Sequence, residues 1–169
     1  MQAQPNIRSF SPLPTVEAMN AKYILSKSDA TFVRESRETV QRILENKDGR
    51  ILACIGPCSV HTPAGLLAYA KLLKDGIDRL NQDIRKRGGK ICPELFLVVR
   101  CYLQKPRSGK KGSSLWPGFL FDPSLDGSFN VEAGIAQSVQ LMYELTKMRI
   151  PIATEFVGAI GVQYYAHMI

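Results

Sequence analysis

Reactive and charged side chains follow three short apolar runs of this sequence, at the points where each run ends. Cys58 comes shortly after the first run, Arg100 and Lys105 follow the second, and Glu155 lies near the end of the third. If the three runs are parallel strands, their carboxyl ends meet at one rim, where ligands bind in α/β folds. A thiol, two cations and a carboxylate at one rim could bind a metal ion or an anionic substrate.

The segment after the second run is basic, with Arg100, Lys105 and Arg107 close together. A guanidinium group binds phosphate or carboxylate through two parallel hydrogen bonds, and an ammonium group adds a point charge. Three cations on one loop therefore fit a phosphorylated or multiply charged substrate. A solvated basic loop is an equally good interpretation of the pattern alone.

Cys58, His61 and Glu155 each have an ordinary interpretation as well. Cys58 follows a Gly-Pro turn and could be a metal ligand, a nucleophile or a small buried side chain. The buried interpretation is favoured because one thiol does not make a metal site. His61 could be a ligand, but a single His just before a helix is more often a surface residue or a residue that supports a ligand. Glu155 is interpreted as an orienting partner of a cation such as Lys105 rather than as a base.

The other three cysteines, Cys54, Cys92 and Cys101, form no Cys-x-x-Cys pair. Their spacing fits no common zinc site. We expect them to be reduced thiols, mostly buried.

The elements that would position these groups alternate between helix and strand. Caps, stop residues and apolar periodicity predict the boundaries. A helix over 29–46 with Asp29 as its cap precedes a buried strand at 51–55. The predicted elements that follow are a helix begun by Thr62 and Pro63, a buried strand at 95–99, a long loop over about 104–129, a helix capped by Asn130, and a strand at 151–157.

This order predicts an α/β fold in which a parallel sheet is covered by amphipathic helices. An open doubly wound sheet and a (β/α)₈ barrel both fit. The turn after the first strand, residues 56–59, lacks the Gly-x-Gly-x-x-Gly pattern of dinucleotide-binding folds. The pattern therefore favours the first three strands of a partial (β/α)₈ barrel, at residues 28–169, preceded by a loose, proline-containing arm at residues 1–27.

The composition excludes several classes of protein. The chain is 45% hydrophobic and 22% charged, which is ordinary for a folded protein. Its net charge is +7, but lysine and arginine are spread along the chain, so we expect no nucleic-acid partner. No apolar stretch approaches the roughly 18 residues of a membrane span, and residues 1–20 lack the pattern of a secretory signal. We therefore expect a cytoplasmic protein with no membrane partner.

Four segments, taken together, resemble the class I 3-deoxy-7-phosphoheptulonate (DAHP) synthases. Each motif is moderately specific, and four in one order at about the family's spacing are much more so. The likeness covers roughly residues 28–169. The segments are 55–61 (Ile-Gly-Pro-Cys-Ser-Val-His), 100–108 (Arg-Cys-Tyr-Leu-Gln-Lys-Pro-Arg-Ser), 122–129 with Asp122 and Asp126, and 153–156 with Gln163 and Tyr164 beyond it.

The resemblance implies a transferase that joins phosphoenolpyruvate to erythrose 4-phosphate and releases phosphate. This is the first step of the shikimate pathway to chorismate and the aromatic amino acids. It also implies a divalent metal ion (manganese, iron, cobalt or zinc) and a homo-oligomeric enzyme. By resemblance, Cys58 is a metal-ligating thiolate, and Arg100 and Lys105 contact phosphoenolpyruvate. The resemblance also implies that Pro106, Arg107 and Ser108 form a loop for erythrose 4-phosphate. Glu155 is expected to lie near the cations that bind phosphoenolpyruvate.

The chain departs from the family pattern at three places. Gln104 stands where Glu is common, Pro117 stands where a Lys is usual, and Gly158 stands where an Asp is usual. A few extra residues also precede Leu115. These differences indicate a divergent member or a copy no longer under selection.

The chain also looks short for the activity. A complete barrel needs about 250 residues, and this chain has 169. We expect the family's remaining metal ligands and further cations to come from strands that are not in this sequence. Unpaired strand edges promote aggregation, so we expect the isolated chain to be inactive and poorly soluble. The alternative is a non-catalytic barrel fragment that binds a full-length synthase.

Overall fold

The computed structural model of the protein describes residues 11–88, 92–105 and 115–169. Three parallel strands and five α-helices form its framework within those residues, which confirms the predicted α/β class. In chain order the elements are α1 (Val16–Lys22), α2 (Lys27–Leu44), β1 (Ile51–Ile55), α3 (Pro63–Lys86), β2 (Leu95–Arg100), α4 (Val131–Lys147), β3 (Ile152–Ala153), α5 (Ala159–Tyr165) and a 3₁₀ helix (Ala166–Met168).

The sheet has the order β1-β2-β3, and each neighbouring pair is parallel. Ile51 pairs with Leu95 and Val99 with Ile152, so the strands run in register toward one common edge. One face of β2 packs into the core with α3 and α4. That core includes Leu97, Val99, Leu66, Ala70, Ile135, Val139, Met142 and Leu145.

The two outer strands differ from the buried strands that the sequence predicts. β2 has a neighbour on each side and is buried through its second half, whereas β1 lies at an edge. Ile51 is 47% exposed and Ile55 is 37% exposed, so the prediction of a buried first strand is wrong. β3 pairs over Ile152–Ala153 alone, shorter than the predicted 151–157, and it too has one neighbour.

The cysteines also differ in burial, according to whether they lie near the central strand or elsewhere. Cys101 is buried, and burial raises the pKa of its thiol to about 12. Cys54 and Cys92 are exposed, so the expectation that most of these thiols are buried is wrong for both. Cys54 belongs to the edge strand, which the described elements cover incompletely.

The starts of α3 and α4 confirm the predicted helix signals. The Thr62 hydroxyl accepts a hydrogen bond from the Gly65 amide, and Pro63 occupies the first turn, where its missing N–H costs nothing. Asn130 caps α4 through the Ala133 amide.

α2 begins differently from the prediction, because Asp29 is not its cap. Ser26 is the cap, and Asp29 completes a capping box in which its carboxylate accepts from the Ser26 amide. Asp29 is 1% exposed and forms ion pairs with Lys147 at 2.9 Å and Arg149 at 3.2 Å. Hydrogen bonds from Ser26 and Lys147 lower its pKa to about 2. Asp29 therefore holds the start of α2 against the end of α4, through Lys147, and against the segment that follows α4, through Arg149.

The arm predicted as loose contains α1. Thr15 caps this helix through the Ala18 amide, and Tyr23, just beyond it, lies in the core. Among the described residues, no helix has both the length and the apolar character needed to cross a membrane.

Candidate active site

The turn after β1 and the segment after β2 lie against each other at the carboxyl end of the sheet. The Val60 amide donates to the Tyr102 carbonyl oxygen at 2.9 Å. The Lys105 ammonium donates to the Cys58 carbonyl oxygen and lies 3.2 Å from the Cys58 sulfur. Cys58 is exposed, so the favoured interpretation of a small buried side chain is wrong, and both the thiol and the Lys105 cation are accessible at the rim where the sequence predicts chemistry.

Arg100 is held over the same turn. Its Nη2 atom donates to the carbonyl oxygens of Gly56 at 2.8 Å and Pro57 at 3.3 Å, and its guanidinium lies 5.0 Å from the centre of the Tyr102 ring. Its Nε atom is buried without a hydrogen-bond partner. The guanidinium is thus fixed by carbonyl oxygens, and no carboxylate among the described residues neutralises its charge, which suits it to attract an anion.

Gly56 makes this arrangement possible, because its backbone passes directly over Arg100. A Cβ atom at position 56 would overlap the Arg100 carbonyl oxygen and lie 2.7 Å from the Arg100 Cβ. A larger residue would therefore push the turn away from β2. The prediction treats Gly56 as a turn residue; the structure shows that lack of a side chain is its contribution to the site.

The segment that carries Lys105 is fixed from both sides. The Lys105 amide donates to the Pro117 carbonyl oxygen, and the Leu120 amide donates to that of Leu103, each at 2.9 Å. Gly118 has a φ of +108°, and a Cβ there would lie 2.8 Å from the Gln104 Cα. Residues 103–105 and 117–120 are thus joined closely, and the backbone of Lys105 is set by this pairing.

Glu155 lies two positions beyond β3 and is half-buried. The preceding Thr154 donates its hydroxyl to the Cys101 carbonyl oxygen at 2.6 Å, which ties this strand end to that of β2. Among the described residues, neither an ion pair nor a hydrogen bond joins Glu155 to Arg100 or Lys105. Its predicted orienting role stays a prediction.

The structure thus brings Cys58, Arg100 and Lys105 together at one rim. The predicted loop residues Pro106, Arg107 and Ser108 lie outside the described residues. Over 11–88, 92–105 and 115–169, no group of three or more His, Cys, Asp or Glu side chains could hold a metal ion. The Cys58 thiol suits a soft or borderline metal as one ligand, but the described residues do not complete such a site.

Sequence reasoning missed the contact between position 158 and the Gln104 side chain. A Cβ at Gly158 would lie 3.5 Å from the Gln104 Oε1 atom, so these positions are neighbours. Gln104 is 3% exposed, directly before Lys105. No short-range pattern could have revealed this contact, because the two residues lie on different strand exits.

Comparison with known proteins agrees with the motifs at this rim. The model of the DAHP synthetase I family matches residues 24–169. The chain belongs to this family. It is 34% identical over 163 residues to the tyrosine-inhibited phospho-2-dehydro-3-deoxyheptonate aldolase of Schizosaccharomyces pombe, covering 96% of this chain and 40% of that protein. With the Tyr-sensitive enzyme of Escherichia coli the identity is 34% over 152 residues, covering 90% of this chain and 38% of that one.

The structural comparison supports the family's fold. The phospho-2-dehydro-3-deoxyheptonate aldolase of Francisella tularensis superposes with a TM-score of 0.80 at 33% identity, covering 97% of this chain and 44% of that one. The chain therefore spans about two fifths of the length of the family members it matches. A three-stranded parallel sheet with its helices is consistent with a partial barrel.

Proposed function

We propose that this chain supplies the first three strand ends of a DAHP synthase active site, in which phosphoenolpyruvate is joined to erythrose 4-phosphate and phosphate is released. Membership of the family supports this proposal. The observation that carries it is the fixed pair of cations, Arg100 and Lys105, beside the Cys58 thiol at the carboxyl end of the sheet. We place the reaction in the cytoplasm and expect the complete enzyme to be a homo-oligomer.

In this proposal, Arg100 and Lys105 hold phosphoenolpyruvate. The substrate carries a phosphate and a carboxylate, so it requires several cations and donors, and the Arg100 guanidinium and the Lys105 ammonium each supply one positive charge. Pro106, Arg107 and Ser108 form the loop for erythrose 4-phosphate. Glu155 orients the cations from the next strand end. The chain's own contribution is to bind two anions and hold them close together, which lowers the entropic part of the barrier.

Cys58 would be one ligand of a divalent metal ion. Such an ion, when bound, polarises a carbonyl oxygen and makes the attached carbon a better electrophile. Because the described residues offer no complete ligand set, we expect the other ligands to come from outside this chain and the isolated chain to hold metal weakly.

The proposal is tested by measuring phosphate release from phosphoenolpyruvate in the presence of erythrose 4-phosphate and manganese. The 169-residue chain alone should show no turnover above buffer. A chimera in which this chain replaces the matching segment of the Escherichia coli relative should be active. Lys105→Met should lower that activity at least about tenfold, the value of one charge-assisted contact, whereas Lys71→Met, on the exposed face of α3, should leave it unchanged. An inactive but folded chimera, or an unaffected Lys105→Met chimera, would contradict the assigned role.

A second function, a non-catalytic fragment that binds a full-length synthase, is favoured by one observation. β1 is an edge strand with two half-exposed isoleucines, Ile51 and Ile55, and such edges pair readily with other chains. Co-expression with a tagged full-length family member would show co-purification at a fixed ratio. Replacing Ile55 by Lys should abolish the association, and recovery of equal amounts with this variant would argue against it.

A further inference from the structure

The loop that leads into α4 has oxygen-bearing side chains at alternate positions. Asp122, Ser124 and Asp126 are followed by Gly127, in the order Asp-x-Ser-x-Asp-Gly. Calcium-binding loops of the EF-hand type begin with Asp-x-Asp/Asn-x-Asp/Asn-Gly, and their glycine makes the sharp turn. The present loop differs by Ser at the third position, which still offers a hydroxyl oxygen.

The backbone of the loop folds around these side chains. Gly127 has a φ of +74°, and its amide donates to the Asp122 Oδ2 atom at 3.1 Å. The Ser128 amide donates to the Asp126 Oδ1 atom at 2.9 Å. Each carboxylate therefore uses one oxygen for the loop itself and keeps its second oxygen for another partner.

A separate observation shows that such a partner is needed. Asp122 is 3% exposed, and its Oδ1 atom is buried without any hydrogen-bond partner. Gly127, the partner of its Oδ2 atom, directly follows Asp126, whose Oδ1 atom accepts from the Ser128 amide, so the two carboxylates are held by one turn. Within the described residues, no Lys, Arg or His forms an ion pair with either carboxylate. A buried carboxylate oxygen with no donor or cation is costly, and a bound cation would remove that cost.

We propose that the carboxylates of Asp122 and Asp126 bind a hard divalent cation, Ca²⁺, with Ser124 adding a neutral oxygen. Two carboxylates give the ion fewer charged ligands than a complete EF-hand loop, which ends in a bidentate Glu at its twelfth position. Ala133 stands at that position here. The affinity should therefore fall in the range of about 10⁻⁴–10⁻³ M found for weak calcium modules. The ligands are all oxygens, so this site is chemically distinct from the Cys58 thiol.

The single tryptophan of the chain makes the proposal testable with the isolated protein. The Trp116 indole N–H donates to the Asp122 carbonyl oxygen at 2.8 Å, and no other tryptophan is present. Tb³⁺, a hard cation that replaces Ca²⁺, should show emission sensitised by this indole when it occupies the loop. Calcium at millimolar concentration should displace it and should raise the melting temperature of the folded chain, whose fold is checked by circular dichroism.

Three variants separate this site from other causes of emission. Asp126→Asn, at an exposed position, should reduce the sensitised emission at least tenfold. Asp83→Asn, a matched exposed carboxylate on α3, and Cys58→Ser should leave it unchanged. Emission that survives Asp126→Asn, or that Ca²⁺ does not displace, would overturn the proposal. So would a folded chain without emission, the result expected if the two carboxyl groups only share a proton.

Discussion

The two ends of the sheet carry the same kinds of cation in opposite electrostatic settings. At the amino ends of the strands, four cations among the described residues each face a carboxylate. The pairs are Arg50 with Asp48 at 2.6 Å, Arg85 with Glu94 at 2.7 Å, and Lys147 and Arg149 with Asp29. At the carboxyl ends, Arg100 and Lys105 contact backbone carbonyl oxygens and a thiol, and among the described residues no carboxylate pairs with them.

This difference separates cations that hold the fold together from cations available to a ligand. A carboxylate that neutralises a cation also removes most of its attraction for a substrate anion. Backbone carbonyl oxygens orient Arg100 and Lys105 but carry no net charge, so the positive charge of each side chain remains available to attract an anion. The arrangement of partners, rather than the number of Lys and Arg residues, identifies the binding end of the sheet.

The largest effect should come from Gly56→Ala, which tests how tightly the carboxyl end is packed. The added Cβ would overlap the Arg100 carbonyl oxygen, so the turn must move. We expect a loss of about 3 kcal/mol in the free energy of unfolding, as for severe overpacking. Gly49→Ala is the control, because nothing lies within 4 Å of its added Cβ. Equal urea midpoints for the two variants would disprove the close packing.

The next effect should come from Asp29→Asn, which breaks the ion pairs at the amino end. It leaves Lys147 and Arg149 without their shared carboxylate and weakens the capping box of α2. We expect a loss of about 2 kcal/mol in urea unfolding, in line with a carboxylate whose pKa is lowered by about two units. Asp75→Asn, an exposed partner of Lys71, should have no measurable effect.

The pH dependence of stability tests whether the negative charge of Asp29 is what stabilises the amino end of the sheet. The pKa of Asp29 is about 2 in the folded chain and near 3.8 ordinarily. The folded state therefore releases this proton more readily, and the stabilisation is complete above about pH 4 and lost as the pH falls toward 2. The difference between unmodified protein and Asp29→Asn, followed by thermal melting, should shrink across that interval. A constant difference would show that the carboxylate charge is not what stabilises α2.

The smallest effect should come from replacing Lys105, a cation without a carboxylate partner among the described residues at the carboxyl ends of the strands. Lys105→Met should weaken phosphoenolpyruvate binding by about tenfold, the value of one charge-assisted contact. Lys74→Met, whose cation is already paired with Asp78, should bind as the unmodified chain does. Titration calorimetry at low salt measures both. Equal phosphoenolpyruvate affinities of the two variants would show that a cation without a carboxylate partner binds the substrate no better than a paired one.

The sequence predicts local features of this fold better than long-range ones. Thr62 and Asn130 begin helices as expected, because capping acts within a single turn. The misassignment of Asp29 was avoidable, since Ser26 stands three residues before it in a capping-box pattern. Cys54 belongs to an apolar run that predicts a buried strand, and such a run does not reveal whether its strand lies at the edge of the sheet.

In the candidate site, too, the long-range contacts could not be predicted from the sequence. That Cys58 and Lys105 share a rim follows from the parallel order of the strands. Their direct contact, across 47 positions of sequence, depends on how the turn at Gly56 packs on Arg100. The ion pairs of Asp29 with Lys147 and Arg149 span at least 118 positions of sequence, and charge alone could not select these partners from 22 lysines and arginines.

The pairing of residues 103–105 with 117–120 has a consequence for how this protein can vary. Since both flanks of the intervening stretch are tied together by backbone hydrogen bonds, its length is uncoupled from the position of Lys105. Doubling a loop between fixed ends costs only about 0.6 kcal/mol in closure entropy. A change in the number of residues between Ser108 and the later flank, residues 117–120, would therefore leave the ammonium group beside Cys58 in its place.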